Sequence, residues 1–340
     1  MKRLNNFHKL KWGILGCAGI ADQHLITAIQ QSHSGQVLAV ASRTKEKAAF
    51  IAGKHGIPRF YGNYEDILSD AEVEAVYIPL PNHMHCEWVV RAAAAGKHIL
   101  CEKPLALNAA EATEMVAACK KAGVYLAEAF MYRHHPRYER AKQIIQSGQI
   151  GEVRGMSASF TFNMSSRLGD IRFRSEMGGG SIYDDGCYAI SSTRLLLGAE
   201  PEAITVHSMF SPQHDDVDMM NTALLEFPNG VGAMLQFGMW CDGRNEIQVL
   251  GSEGSLLIPN AFYYEPPAET RLVIKSNGNQ TEEHYESMNH YMLQVENFNK
   301  YVQNQQPSPS VPDDLVASMK VIEAALRSSK ERIRVQISSM

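Results

Sequence analysis

Over the first 128 residues short apolar or β-branched runs alternate with alanine-rich helical stretches, and nothing else restricts the fold of this 340-residue chain so tightly. The strand-like runs are 11–16, 37–42, 75–80, 98–102 and 124–128, and the helical ones are 20–31, 45–54, 85–95 and 109–121. Strands separated by helices of about 10–15 residues need crossover connections, which make one parallel sheet covered on both faces. A doubly wound α/β half is therefore expected. From residue 151 the pattern turns to extended segments at 223–227, 231–240, 248–250 and 254–258, with a Pro228-Asn229-Gly230 turn between the first two. That half is expected to be α+β on a largely antiparallel sheet. Two helices, 290–302 and 313–328, flank a polar stretch, 304–312, whose three prolines read as a loop.

The length exceeds the ~100–200 residues of one ordinary domain, which agrees with two cores. Hydrophobic residues at 45%, charged residues at 20% and a net charge of −5, with Lys and Arg scattered, exclude disorder and offer no footprint for nucleic acid. No apolar run approaches the ~20 residues that cross a bilayer, so no membrane partner is expected. The basic residues 1–12 have no apolar core or small-residue cleavage site behind them, which predicts a cytoplasmic protein. Cys17, Cys86, Cys101, Cys119, Cys187 and Cys241 form no C-x-x-C pair and are expected to be free thiols. His134 and His135 are adjacent, so their side chains diverge, and no metal is expected.

At the end of the first strand, Trp12-Gly13-Ile14-Leu15 runs into Gly16-Cys17-Ala18-Gly19-Ile20-Ala21. A glycine-rich turn opening a helix offers backbone N–H groups and a positive helix end, which suit a pyrophosphate. The match to G-x-G-x-x-G is incomplete, because Ala18 replaces the second glycine; an ordinary strand-turn-helix link has the same outline. At the second strand's end, Ala41-Ser42-Arg43-Thr44 lacks the carboxylate that would bind the ribose hydroxyl of NAD. Arg43, with Ser42 beside it and Lys47 one helical turn on, suits a 2′-phosphate. NADP(H) is thus expected in preference to NAD(H), against the plainer alternative of a solvated Arg43.

Further on, Cys101-Glu102-Lys103-Pro104 follows a strand, and a lysine at the carboxyl end of a parallel strand points to where such sheets bind ligands. A surface turn is the other reading. The run Gly178-Gly179-Gly180-Ser181-Ile182-Tyr183-Asp184-Asp185-Gly186-Cys187-Tyr188 opens a helix that Gly198 ends. Asp184 and Tyr188, at i and i+4, share a face, and Gly186 between them lets a flat ring or a backbone approach. Alternatively Asp184 merely complements the helix dipole and Tyr188 is a half-buried core aromatic.

Together, residues 16–21, Pro81-Asn82-His83-Met84-His85, Glu102-Lys103-Pro104, Glu128-Ala129-Phe130-Met131-Tyr132-Arg133 and 178–188 resemble the glucose–fructose oxidoreductase/inositol dehydrogenase (Gfo/Idh/MocA) family. The resemblance covers nearly the whole chain. It implies a Rossmann dinucleotide-binding domain over 1–128 and a domain over 129–289 built on a large open, mainly antiparallel sheet. Over 290–340 it leaves helices that pack back on the first domain, and it implies a homodimer or homotetramer formed through the sheet's open face. It makes Lys103 the catalytic lysine, Asp184 a second polar member and Tyr188 the acid/base. The cofactor contacts it implies are Gly16, Cys17, Ala18, Gly19, Ile20, Ala21, Ser42, Arg43, Lys47, Pro81, Asn82, His85, Glu102 and Lys103. Tyr132, Arg133 and Arg172 are the expected substrate contacts, although His85 could cap the helix that follows and Arg172 could pair with Glu176.

Tyrosine at 188, where inositol dehydrogenase-like members carry histidine, resembles the branch of glucose–fructose oxidoreductase, NADP-dependent D-xylose dehydrogenases and dimeric dihydrodiol dehydrogenases. The expected activity interconverts a hydroxyl and a carbonyl on a small polyhydroxylated substrate: a sugar, polyol or dihydrodiol. Two alternatives belong to other classes, a dinucleotide-binding sensor without turnover and a glycosidase using bound nicotinamide as redox helper. Lys103 argues against the first, and Ser42 and Arg43 against the tightly held NAD of the second.

Overall fold

The computed structural model describes residues 8–265, 268, 270–304 and 312–337. Residues 1–7 of the basic N-terminal stretch and most of the three-proline stretch lie outside the described residues. The chain divides into two compact units.

The first unit takes in 8–106, 110–131, 289–304 and 312–315. Its strands are β1 (Leu10–Leu15), β2 (Gly35–Ala41), β3 (Arg59–Tyr61), β4 (Ala75–Ile78), β5 (His98–Cys101) and β6 (Leu126–Glu128). They pair in the order β3-β2-β1-β4-β5-β6, every neighbouring pair parallel. This is the doubly wound Rossmann order, with its switch point between β1 and β4. Helices α1 (Ile26–Gln31), α2 (Lys45–His55), α3 (Tyr64–Ser69), α4 (His85–Ala94) and α5 (Ala109–Ala122) supply the connections. All four residues of β4 are buried, as a strand covered on both faces requires. Gly13 brings α3 close, since a Cβ there would fall 2.9 Å from Ile67 Cδ1. The short β3 and α3 were not legible beforehand: Phe60 is exposed, so no apolar run marks the strand.

The second unit takes in 107–109, 132–288 apart from 266, 267 and 269, and 316–337. It opens with α6 (Pro136–Gln146), whose His135 cap accepts the Arg137 N–H. Strands β7 (Val153–Asn163), β8 (Ala203–Ser211), β9 (Val217–Glu226), β10 (Gly232–Gly238), β11 (Trp240–Gly251), β12 (Gly254–Pro259), β13 (Thr270–Ser276), β14 (Asn279–Tyr285) and β15 (Val335–Gln336) follow. They form one sheet, β14-β13-β12-β11-β7-β10-β9-β8-β15, antiparallel except where β10 runs parallel to β7. The Pro228-Asn229-Gly230 turn joins β9 to β10 with Asn229 and Gly230 at φ 68° and 77°. The expected strand 231–240 is two strands, breaking at Met239.

Helix α7 (Cys187–Leu197) packs on β7 and β10, where Met156, Ala158, Leu235 and Phe237 are buried. Gly186 admits the Phe237 ring, whose Cε2 would be 2.7 Å from a Cβ, and Gly198 ends α7 at φ 61°. On the other face of the sheet Leu224, Met234 and Leu250 are exposed, with Met234 paired directly to Leu224.

The last two helices separate. Helix α8 (His290–Asn304) belongs to the first unit, where Asn299 Oδ1 accepts from Trp12 Nε1 at 3.0 Å and Glu296 accepts the His33 N–H and the Ser34 hydroxyl. Helix α9 (Pro312–Glu331) groups from Val316 with the second unit. The physical reason is a row of small hydroxyl side chains, with Ser328 Oγ accepting the Val206 N–H at 2.8 Å and Ser329 bonded to Ser208. Among the described residues no helix is long and apolar enough to cross a membrane. Cys101, Cys119 and Cys187 are buried free thiols, whereas Cys17, Cys86 and Cys241 are half-buried.

Candidate functional site

In the first unit the carboxyl edge of the parallel sheet gathers the predicted cofactor residues. Gly16 follows β1 at φ 126°, a left-handed conformation that favours glycine, and its N–H donates to Ala41 O at 3.0 Å. A Cβ there would also lie 3.0 Å from Leu80 Cδ2. Gly19 is exposed, and a Cβ on it would meet nothing nearer than Gln23 Nε2 at 3.9 Å. The incomplete fingerprint thus keeps glycine where the backbone demands it, and leaves open space at Gly19, just before the π-turn Ala21–Leu25 that leads into α1. Such a cradle fits a pyrophosphate. At the end of β2, Ser42 is buried and hydrogen-bonds the Cys17 thiol, which burial holds above its usual pKa against the opposing charge of Lys47. Arg43 and Lys47 are exposed.

The Glu102-Lys103-Pro104 loop leaves β5 under several constraints. Glu102 N donates to Ile78 O, Tyr77 OH donates to Glu102 Oε1 at 2.5 Å, and Leu105 N donates to the buried Glu128 Oε1 at 2.9 Å. His85 contributes a further tie and corrects the expectation that it could cap the helix. Its side chain is fully buried, with Nδ1 2.9 Å from Pro104 O and Nε2 2.8 Å from Leu80 O, so it does not cap α4. Burial lowers its pKa, with the carbonyl contacts opposing, and the ring bridges two loops. Pro81 and Asn82 are half-buried, in or beside the short turn Asn82–Met84.

The second unit holds Asp184 and Tyr188. The helix that carries them starts as a π-turn, Ile182–Gly186, before α7. Asp184 Oδ2 accepts from Arg172 Nε at 2.8 Å, and Arg172 Nη1 is 3.2 Å from Asp170 Oδ1; the Asp184 charge raises the Arg172 pKa further. Pairing with Glu176 does not occur, because residues 171–173 and 175–177 are separate 3-10 turns broken at Arg174. Tyr188 is 7% exposed, its ring 5.2 Å from Phe160, 5.8 Å from Phe262 and 5.9 Å from Tyr132 between centroids. Tyr132 itself is 1% exposed, with its hydroxyl 2.6 Å from Ser191 Oγ. It is packed in the core beside Tyr188. Half-buried Arg133 donates to the same Ser191 hydroxyl at 2.9 Å.

Burial lowers His134 and His135 to about 4. No group of three or more His, Cys, Asp or Glu among the described residues could hold a metal ion. Tyr77, Ser191 and the bond made by Glu128 were not singled out from the sequence. The one available signal was Glu128, an acid ending an otherwise apolar strand.

A family model described as "Oxidoreductase family, NAD-binding Rossmann fold" matches residues 10–130, and "GFO/IDH/MocA C-terminal domain" matches 138–257. The chain is similar to a D-xylose 1-dehydrogenase (NADP(+)) of Haloferax volcanii, at 35% identity covering 96% of this chain and 100% of that one. It is also similar to a dTDP-3,4-didehydro-2,6-dideoxy-alpha-D-glucose 3-reductase of Streptomyces violaceoruber, at 40% identity over 78% of this chain and 77% of that one. Among solved structures, a 3-ketoreductase from Actinomadura kijaniata in complex with NADP and TDP-benzene superposes with a TM-score of 0.89 at 30% identity. That match covers 95% of this chain and 98% of the other.

Proposed function

This chain belongs to the GFO/IDH/MocA oxidoreductase family, and from that premise we propose that it interconverts a hydroxyl and a carbonyl on a sugar, polyol or dihydrodiol-type substrate with NADP(H). The observation that carries this is the Lys103 loop, tied by Tyr77, His85 and Glu128 at the carboxyl edge of a β3-β2-β1-β4-β5-β6 sheet, where such sheets bind ligands. Relatives that act on a xylose and on a nucleotide-linked ketosugar, and one solved with NADP, support it.

Residues 16–21 would hold the pyrophosphate and Arg43 with Lys47 the 2′-phosphate. Bound nicotinamide supplies the two-electron acceptor or donor. Tyr188 takes the hydroxyl proton during oxidation and returns it during reduction. The Lys103 ammonium would stabilise negative charge developing on the reacting oxygen. Asp184, aligned by Arg172, holds a neighbouring substrate hydroxyl. A spectrophotometric screen of sugars, polyols and their carbonyl counterparts with both nicotinamides tests the activity. Steady consumption of NADP⁺ or NADPH is expected; cleavage of a glycoside without net cofactor change would replace this reading with the glycosidase one.

NADPH is expected to bind at least about tenfold more tightly than NADH, because a charge-assisted bond from Arg43 is worth ~1.5–3 kcal/mol. Arg43→Ala should remove most of that preference in fluorescence titrations while leaving NADH affinity unchanged. Tighter NADH binding by the wild type sinks the assignment. We also propose that the exposed sheet face carrying Leu224, Met234 and Leu250 joins copies of this chain. Met234→Glu should then shift the mass measured by light scattering to that of a single chain, and a single-chain mass for the wild type contradicts the proposal.

A further inference from the structure

The second unit buries a carboxylate that the reaction described above does not use. Asp218, on β9, is 4% exposed, and one oxygen, Oδ2, collects three donors: Ile182 N at 2.7 Å, Asn221 Nδ2 at 2.7 Å and Ser181 Oγ at 2.9 Å. Two of these come from the first residues of the helical run that carries Asp184 and Tyr188. The other oxygen lies against Gly180, at φ 108°, where any Cβ would collide with it. The third glycine of the Gly178-Gly179-Gly180 run is thereby explained as room for this carboxylate.

The network continues behind it. Asn221, fully buried, also donates to Ser181 Oγ at 2.6 Å and accepts from Ser208, whose hydroxyl meets Ser329 on α9. Burial pushes the Asp218 carboxyl up to about 6, with the donors opposing. An apolar side chain could fill this volume, but it would leave a buried backbone N–H and the hydrogen of a buried hydroxyl without their acceptor at the start of the helix. Retaining an acid here directs three donors to one point.

We infer that Asp218 is a positioning residue for the reaction: by binding Ser181 and the Ile182 N–H it fixes where the helix begins, and with it the placement of Asp184 and Tyr188. The inference rests on the proposed roles of those two residues, so Tyr188→Phe is assayed beside it. Asp218→Ala should lower kcat at least about tenfold in protein that still melts cooperatively, with NADPH affinity within about twofold of wild type. Asp218→Asn keeps an oxygen able to accept two of these bonds, those from Ile182 N and Ser181 Oγ, and should return kcat to within about threefold. A merely structural acid would move the melting temperature and leave the kcat of the folded enzyme alone.

Wild-type kcat in Asp218→Ala, with Tyr188→Phe impaired, overturns the inference alone. Normal turnover in Tyr188→Phe overturns the reading of the site and the inference with it. An Asp218→Asn as impaired as Asp218→Ala overturns the acceptor role. Should Asp218→Ala not fold, Ser181→Ala carries the test, with a drop in kcat of about threefold or more expected and an unchanged kcat contradicting it.

Discussion

Tyr188→Phe is expected to lower turnover at least about a hundredfold at saturating substrate and cofactor, with NADPH affinity within about twofold of wild type. The size follows from what general acid/base help contributes, typically ~10²–10⁴ in rate. The specificity follows from how the ring is held. Tyr188 is buried among Phe160, Phe262 and Tyr132, contacts made by ring carbons, so removing one oxygen leaves the aromatic packing in place. Stopped-flow and steady-state rates, measured beside thermal melts and NADPH titrations, separate lost chemistry from lost structure. The proposed cofactor residues within 16–21 and 42–47 belong to the other unit, which is why affinity should hold. Near-normal turnover would return Tyr188 to the role its burial alone permits, a core aromatic.

How much of this was legible beforehand depended on the range of the interaction. Local signals were reliable: the alternation that gave the parallel sheet, Asn229 and Gly230 in the hairpin turn, Gly186 admitting a ring, and Gly198 ending α7. Helix α6 was missed although its signal was present, a proline at the first helical position behind His135. Strand β3 was missed because three residues with an exposed phenylalanine show no period. In the candidate site, sequence reading named residues by type and did not reach the side chains that hold them. Tyr77 reads as one more apolar residue in a buried strand, and its bond to Glu102 spans 25 positions. Asp218 and Ser181 are 37 apart. Such partners are set by strand register and loop path, which a period cannot encode. Arg172 shows the same limit at short range: the i, i+4 acid was the wrong one because the backbone between them is not one helix.

Lys103→Met is expected to cost about as much as Tyr188→Phe, at least about a hundredfold in turnover, and the structure makes the substitution a clean one. Other groups hold residues on either side of the lysine. Ile78 O, Tyr77, His85 and Glu128 hold residues 102, 104 and 105 through the backbone or through Glu102. Methionine, unbranched and of similar length, removes the ammonium without disturbing those ties. What disappears is a positive charge and the donor proposed for the reacting oxygen, worth most where water is excluded. Lys103→Arg should not restore the rate, because a planar, more weakly hydrated guanidinium cannot occupy the same point. A milder change isolates the loop itself: Glu128→Gln keeps an acceptor for Leu105 N and should reduce turnover only about two- to fivefold, whereas Glu128→Ala, which strands that buried N–H, should reduce it by about tenfold or more. If Lys103→Met turned over normally, the lysine would leave the mechanism and the loop's constraints would have to serve cofactor binding instead, which the same variant's NADPH affinity would reveal.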